Sequence, residues 1–244
     1  MSVPSAPAGV LLTAAADAPF ITLAELAPPG GLMLVVPHPD DETLGCGMAL
    51  AAAAAAGRNI LVVLVTDGEG SHPHSPSLDA SALKALRAEE LAGALGELLG
   101  GKSAWVKRLG LPDGRSHVSQ VAPEQLQELA SLACAAGVRS VWTTWRRDPH
   151  CDHLTAALLA TGIAGRLRAA LWEFPVWGRF GDQGLVPFPL YRFHDAEHLS
   201  AKCRALAHHR SQFTRMIDDD PTAFLMPPAL LRHFRDAPEL FLRG

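Results

Sequence analysis

Residues 32–50 read LMLVVPHPDDETLGCGMAL, and this stretch carries the strongest structural signal in the chain. Its first five residues, Leu32 to Val36, are all apolar, as is typical of a strand that is covered on both faces. The strand is predicted to end at Pro37, and a helix is predicted to begin at Thr43, because threonine caps helices well. Gly57 is predicted to stop that helix after an alanine tract. A buried strand, a polar loop and a helix in this order open an α/β fold.

The alternation of strand and helix continues along most of the chain. Since helices between parallel strands form right-handed crossovers, the pattern predicts a doubly wound, mostly parallel sheet with helices on both faces. The C-terminal part is less regular, and no repeat or linker is evident, so a single domain is predicted. Further strands are predicted at residues 60–66, 105–109, 141–145 and 171–176, and further helices at 82–99, 123–137, 154–167, 197–216 and 228–235.

The composition predicts a globular protein that lies in the cytoplasm. Of the 244 residues, 48% are hydrophobic and 19% are charged, which excludes a largely disordered chain. Residues 1–30 lack lysine and arginine, so they do not resemble a secretory signal, and we expect a flexible or loosely packed lead-in before a domain at 31–244. The longest apolar run, residues 48–56, is far shorter than the roughly 20 residues that span a bilayer.

Charge and cysteine content narrow the class of partner. The formal net charge is −4, and the cations are scattered, so neither a nucleic acid nor a membrane is an expected partner. The four cysteines are too widely spaced for a disulfide scaffold or a zinc knuckle and are predicted to be reduced. A small-molecule substrate is therefore expected, and the sequence is compatible with a homo-oligomer.

Polar residues follow three of the predicted strands. They lie at residues 38–42, 67–69 and 148–153, and the carboxyl ends of parallel strands share one edge of the sheet. The G-x-G-x-x-G motif of a dinucleotide site does not follow the first strand. Several carboxylates beside imidazoles would repel an anionic cofactor and attract a cation, so a metal site is predicted at this edge.

A catalytic zinc site uses three nitrogen or oxygen ligands and keeps one position for water. His38, Asp41 and His153 can supply that set. Asp40 would then lie beside the metal without binding it, where a general base is needed. His150 precedes His153 by three residues, so both imidazoles can face one cavity, one binding metal while the other meets substrate.

Asp152 completes this group. An imidazole in a metal site usually donates its second N–H to a carboxylate, which fixes the tautomer, and Asp152 lies between the two histidines in the chain. It is therefore a candidate to orient one of them.

The sequence resembles the PIG-L or LmbE-like metal-dependent N-deacetylases. The resemblance covers residues 32–242, with lesser echoes at 111–114, 173–177 and 209–212. The motifs that carry it are H-P-D-D-E at 38–42, T-D-G-E at 66–69, R-x-x-E at 87–90 and H-x-D-H at 150–153.

This resemblance implies a Rossmann-like fold and hydrolysis of an N-acetyl or N-acyl group by a metal-activated water. The implied cofactor is Zn²⁺ or another divalent metal, and the implied substrate is an N-acetylated amino sugar or glycoside. By position in the motifs, the metal ligands are His38, Asp41 and His153, the general base is Asp40, and the oxyanion is stabilised by His150, which Asp152 orients.

Three further residues are predicted to bind substrate, each with a structural alternative. Asp67 can simply turn the chain after its strand, and Asp113 can do the same within a Pro-Asp-Gly turn. Arg87 can pair with Glu90 one helical turn away instead of meeting substrate.

Two other functions remain open from the sequence. A two-metal phosphoesterase can use Asp40, Asp41, Glu42 and Asp67 to bridge two ions. A sugar-binding or metal-binding protein on the same fold would bind without turnover. Asp40 and His150 speak against this last function, because a protein that only holds a metal needs neither.

Overall fold

The structure is a computed structural model that describes residues 4–102, 105–181 and 189–244. Strands within these residues form one sheet. In chain order they are β1 (Gly31–Val36), β2 (Asn59–Thr66), β3 (Trp105–Leu111), β4 (Val138–Thr144), β5 (Ala170–Phe174), β6 (Leu190–Phe193) and β7 (Glu239–Arg243).

The strands are joined mainly by α-helices, and a 3₁₀ turn at Val118–Gln120 follows β3. Among the described residues, no helix has both the length and the apolar character that a membrane span requires. The helices are α1 (Val10–Ala15), α2 (Leu23–Leu26), α3 (Asp41–Ala55), α4 (Ala80–Leu98), α5 (Pro123–Ala135), α6 (Cys151–Leu167), α7 (Ala196–Leu206), α8 (Arg210–Phe213) and α9 (Pro228–Asp236).

The order of strands in the sheet is β3-β2-β1-β4-β5-β7-β6. The pairs from β3 to β5 are all parallel, whereas β7 runs antiparallel to both β5 and β6. The predicted α/β class and the mostly parallel, doubly wound sheet in a single domain are therefore confirmed. The antiparallel strands β6 and β7 were not predicted, because they lie in the C-terminal part of the chain, where strand and helix no longer alternate regularly.

Both faces of the sheet are covered by helices. Leu32 and Leu34 of β1 pack in a core with α3 and α4 on one face, while Met33 and Val35 pack against α5 and α6 on the other. Side chains of a strand alternate between faces, so a strand buried on both sides needs apolar residues at every position. This is why β1 is apolar throughout.

Helix α3 departs from its prediction in start and shape. It begins at Asp41 rather than at Thr43, and it is kinked at Cys46, whose φ of −144° and ψ of 24° are not helical. The kink leaves backbone groups in the middle of the helix without their usual partners.

A buried ion pair satisfies those backbone groups. Lys202 Nζ donates to the carbonyl of Leu44 at 3.1 Å, and Glu239 accepts from the amides of Met48 at 2.7 Å and Ala49 at 2.9 Å. Lys202 and Glu239 also contact each other at 2.8 Å, and both are almost fully buried. Residues of α7 and β7 therefore complete the hydrogen bonding of α3.

The helix predicted at 197–216 is wrong in its extent. It ends at Leu206 and is followed by the separate short helix Arg210–Phe213. Between them, His209 leaves helical geometry, with a φ of −77° and a ψ of 53°. Its Nε2 lies 3.0 Å from Glu42 Oε1, and both side chains are fully buried. The chain turns at this point, and the imidazole reaches the first turn of α3.

Residues 4–30 contain α1 and α2 and contact the rest of the chain. Leu11 and Leu26 are buried, and the indole N–H of Trp142 donates to the carbonyl of Leu26 at 3.1 Å. Residues 1–3 of the expected lead-in lie outside the described residues. The division of the chain at residue 30 stays a prediction.

Candidate active site

The candidate site lies where the strand order of the sheet reverses, between β1 and β4. Ligands of open α/β sheets bind at this point, outside the carboxyl ends of the strands. The ring of His38, which follows β1, lies 4.9 Å from that of His150 and 5.5 Å from that of His153, measured between centroids. Both of these histidines follow β4. The loops after the two strands therefore bring the predicted imidazoles together.

His38, Asp41 and His153 can hold one metal ion. Each offers a ligand atom, and these atoms all lie within 4.8 Å of one another. The Nε2 atom of His153 is buried and has no hydrogen-bond partner, and Asp41 Oδ2 lies 3.5 Å from it. A buried imidazole nitrogen without a partner is costly, and two imidazoles with a carboxylate are a donor set that suits Zn²⁺. The residues present therefore fit a divalent cation.

A second group of the same kind overlaps the first. His38, His150 and Asp152 also place ligand atoms within 4.8 Å of one another. The two groups share His38 but differ in their second histidine. Variants of His150 and His153 can therefore show which group binds the metal.

Three carboxylates surround His38. Its Nδ1 lies 3.1 Å from Asp41 Oδ2, and its Nε2 lies 3.0 Å from Asp152 and 3.1 Å from Asp113. Burial opposes the charge of the ring, but these hydrogen bonds raise the pKa of His38 well above its usual value. A cation that binds here would replace a proton among the same carboxylates.

Asp40 is held in a strained backbone conformation beside this group. Its φ of 123° is one of only two positive values among the described residues other than glycine, and its side chain makes no helix-capping hydrogen bond. Glu42 accepts from the amide of Asp40 at 2.9 Å, and Arg87 lies 3.2 Å from its carboxylate. Burial raises the pKa of Asp40 to about 7, although Arg87 opposes this. Asp40 therefore occupies the N-cap position of α3 without using its side chain as the cap, and its buried carboxyl group has a pKa that suits a general base.

Arg87 does not form the predicted alternative pair with Glu90. Its guanidinium donates to the carbonyls of Gly68 at 2.8 Å and Pro39 at 2.6 Å. Glu90 instead accepts from the amide and the hydroxyl of Ser211, each at 2.7 Å. Arg87 lines the cavity of the site and ties together the loops after β1 and β2.

The surroundings of His150 favour its neutral form. Burial, together with the nearby imidazoles of His38 and His153, lowers its pKa to about 4. Its Nδ1 accepts from the amide of Asp152 at 3.3 Å, so the proton of the neutral ring belongs on Nε2. His150 can therefore donate one hydrogen bond into the cavity.

Asp152 makes its closest contacts with groups other than His150. Its carboxylate accepts from Gly114 N at 2.7 Å, from Ser116 N at 2.9 Å and from His38 Nε2 at 3.0 Å. Burial opposes ionisation, but these hydrogen bonds lower the pKa of Asp152. Oδ2 of Asp152 lies 3.8 Å from Nδ1 of His150, which is longer than a hydrogen bond. Asp152 acts on His150 through its backbone amide.

The two carboxylates predicted to bind substrate, Asp113 and Asp67, differ in position. Asp113 lines the cavity and accepts from the amide of Gly70 at 2.8 Å. Asp67 is buried and pairs with Lys84 and, at 2.9 Å, with Arg108. These contacts are those of a structural carboxylate, so the position of Asp67 does not support its predicted contact with substrate.

The cavity of the site has a volume of about 280 Å³ and two unlike walls. The sequence motifs identified the polar wall, whereas of the apolar wall only Trp177 lies in one of the lesser motifs, at residues 173–177. The polar wall includes His38, Asp40, Asp41, Arg87, Asp113 and His150, and the apolar wall includes Leu44, Trp177, Phe224 and Met226.

Two buried carboxylates beside the cavity, Glu42 and Asp148, were not among the residues predicted for a deacetylase site. Glu42 contacts the amide of Asp40 and the imidazole of His209, and Asp148 contacts His153 Nδ1 at 2.7 Å. The signal for Glu42 was its place in the H-P-D-D-E motif, and that for Asp148 was its place in the polar loop after β4.

Solved structures with a similar fold include deacetylases. A conserved protein of Thermus thermophilus is 26% identical, with 88% of this chain and 94% of that one covered and a TM-score of 0.60. The N,N'-diacetylchitobiose deacetylase of Pyrococcus horikoshii is 19% identical, with 79% and 74% covered and a TM-score of 0.62. The A40926 pseudoaglycone deacetylase Dbv21 is 20% identical, with 88% and 96% covered and a TM-score of 0.63.

Sequence comparison assigns the family. Among curated proteins, no sequence matches the chain. The family model described as PIG-L, GlcNAc-PI de-N-acetylase, matches residues 33–164, which is more than half of the chain and includes the six residues named above for the polar wall. The resemblance seen in the motifs is thereby confirmed, and the chain belongs to the PIG-L family.

Proposed function

We propose that this protein is a zinc-dependent N-deacetylase that removes an N-acetyl group from an amino sugar or glycoside. The observation that carries the proposal is the unpartnered Nε2 of His153 beside Asp41 and His38, with the carboxyl group of Asp40 next to them. The family and the two deacetylases of similar fold support it.

The metal site and the base have separate roles. A divalent cation bound by His38, Asp41 and His153 would supply Lewis-acid polarisation of the amide carbonyl and make water a better nucleophile. Asp40 accepts the proton of the attacking water, because its carboxyl group lines the cavity and its pKa lies near 7. Arg87 orients that carboxyl group through its contact at 3.2 Å. Asp40 then returns the proton to the leaving nitrogen.

His150 stabilises the charge that develops on the carbonyl oxygen. Its neutral ring carries the proton on Nε2, because Nδ1 accepts from the amide of Asp152. A donor that is fixed before the reaction costs no reorganisation as the charge develops.

The two walls of the cavity suit an acetylated sugar. Arg87 and Asp113 offer a donor and an acceptor for hydroxyl groups on the polar side. Trp177 and Phe224 contact each other edge to face at 5.7 Å and give the same cavity an apolar surface. Such a surface can pack against the apolar face of a pyranose ring or against the acetyl methyl group.

The structure gives less support to a two-metal phosphoesterase. That function would use Asp67 as a bridging carboxylate, and Asp67 is already paired with Lys84 and Arg108. Asp40 is likewise in contact with Arg87. Cations of the chain thus already neutralise both carboxylates, which disfavours a second metal ion beside them.

Hydrolysis of N-acetylated sugars is the test of this proposal. Incubation of the purified protein with N-acetylglucosamine and its glycosides is expected to release acetate and a primary amine in equal amounts. A chelator should stop the release, and added Zn²⁺ should restore it, because the nucleophile depends on the metal. Cleavage of phosphate esters while every N-acetyl sugar survives would replace this proposal with the phosphoesterase.

His150→Ala is expected to lower kcat by roughly 10²- to 10³-fold, which is the usual cost of losing one oxyanion donor. The bound metal should remain, and KM should change little, because the charge that His150 meets develops only in the transition state. Steady-state kinetics with elemental analysis of the same sample measures both. His194→Ala, at an exposed position, is the control and should keep the full rate. An unchanged kcat in His150→Ala would leave the oxyanion to other groups.

A further inference from the structure

Asp148 is a fully buried carboxylate that joins two loops at the base of the candidate site. It lies in the loop after β4, and one of its oxygens accepts from Nδ1 of His153 at 2.7 Å. The same carboxylate accepts from three successive amides after β5, those of Val176 at 3.0 Å, Trp177 at 3.2 Å and Gly178 at 2.6 Å. One side chain therefore accepts hydrogen bonds from an imidazole and from a turn of the backbone.

The contact with His153 determines which nitrogen of that ring is free. A carboxylate can only accept, so Nδ1 of His153 carries the proton and Nε2 keeps its lone pair. That Nε2 is buried without a partner and lies 3.5 Å from Asp41 Oδ2. A carboxylate in this position also makes the imidazole a stronger ligand.

The contact with the backbone fixes the position of Trp177 in the apolar wall. The amide of Trp177, whose side chain lines the cavity, is the middle one of the three that converge on Asp148. Gly178 allows this close approach, because a Cβ atom there would lie 2.5 Å from Oδ1 of Asp148. Consecutive amides that converge in this way form a binding site for negative charge.

We propose that Asp148 is a positioning residue that holds both the ligating nitrogen of His153 and the Trp177 wall of the cavity. The proposal rests on the metal site and substrate of the proposed function. Its consequence is that metal affinity and substrate affinity depend on one buried carboxylate that touches neither ligand.

Asp148→Asn tests the proposal, because an amide group presents one acceptor and one donor where the structure needs two acceptors. Metal affinity, measured by competition with a chelator, is expected to fall roughly 10- to 100-fold. At saturating metal, KM for the N-acetylated sugar is expected to rise roughly 2- to 10-fold as the wall loses its hydrogen bonds. A folded variant with both values unchanged would make Asp148 purely structural and overturn the proposal.

Asp195→Asn is the matched control. Asp195 lies 2.9 Å from Nδ1 of His198 and accepts from the amides of Glu197 and His198, so it has the same kinds of partner as Asp148. It is partly exposed and does not line the cavity. Metal affinity and KM should stay at their original values in this variant.

A second measurement needs no change at Asp148. NMR of the metal-free protein with ¹⁵N-labelled histidine should show His153 protonated on Nδ1, with His153→Ala identifying the signal. Protonation on Nε2 instead would contradict the proposal even if Asp148→Asn failed to fold. If the protein binds metal but hydrolyses no N-acetylated sugar, the proposed function fails, while chelator competition and NMR still decide the role of Asp148.

Discussion

Asp40→Asn is expected to keep its metal and to lose roughly 10²- to 10⁴-fold in kcat, the range that a general base contributes. The amide preserves the shape of the side chain and its place beside Arg87, but it cannot accept a proton from water. The two quantities to measure are kcat for an N-acetylated sugar and metal content by elemental analysis, both on one preparation.

Asp79→Asn is the control for a structural effect at Asp40. Both residues precede a helix at its N-cap position, but Asp79 caps its helix by accepting from the amide of Ala82 at 2.8 Å. Since asparagine caps as well as aspartate, Asp79→Asn should keep its full rate. Loss of metal from Asp40→Asn would instead make Asp40 a ligand.

Replacing any one of His38, Asp41 and His153 by alanine is expected to remove the tightly bound ion and with it the hydrolysis of N-acetylated sugars. The loss of affinity should exceed the roughly 10- to 100-fold that follows removal of a group that only orients a ligand. The unaltered protein should hold about one divalent ion per chain, because three ligands with an open position define a hydrolytic site. Elemental analysis after dialysis against a weak chelator measures this.

The same analysis separates the two overlapping ligand groups. If the ion is held by His38, Asp41 and His153, the His150→Ala variant keeps it and His153→Ala does not. The reverse result would assign the ion to His38, His150 and Asp152. Full occupancy in any alanine variant removes that residue from the ligand set.

The parallel part of the sheet was predictable because each of its strands shows its burial in its own short stretch of sequence. A strand such as β1, covered on both faces, must be apolar at every position, and that run is visible in the sequence. Strands β6 and β7 pair antiparallel at the edge, and the segment between them in the chain carries three helices, so no repeating pattern marked them. The kink at Cys46 was equally hidden, because it depends on Lys202 and Glu239, which lie far along the chain.

The site was predictable where its residues follow strands. His38, Asp113 and His150 come together because parallel strands end at one edge of the sheet, which the order of elements already implies. The pairing of Asp67 with Lys84 and Arg108 depends on which side chains of a helix and a neighbouring strand reach it, and no spacing in the sequence records that. The apolar wall was likewise hidden, because its four residues come from three separate segments of the chain.

The kink in α3, which Lys202 and Glu239 stabilise, also affects the order in which the protein can fold. The bond between Glu239 and the amide of Met48 joins residues 191 positions apart, so the helix that carries Asp41 cannot complete its hydrogen bonding until the last strand has docked. Contacts of such sequence separation slow folding, because a long loop must close before they form. A chain shortened to residues 33–164, where the family model matches, would contain all three candidate metal ligands without this bond. We therefore expect the candidate site and the C-terminal strands to fold as one cooperative unit.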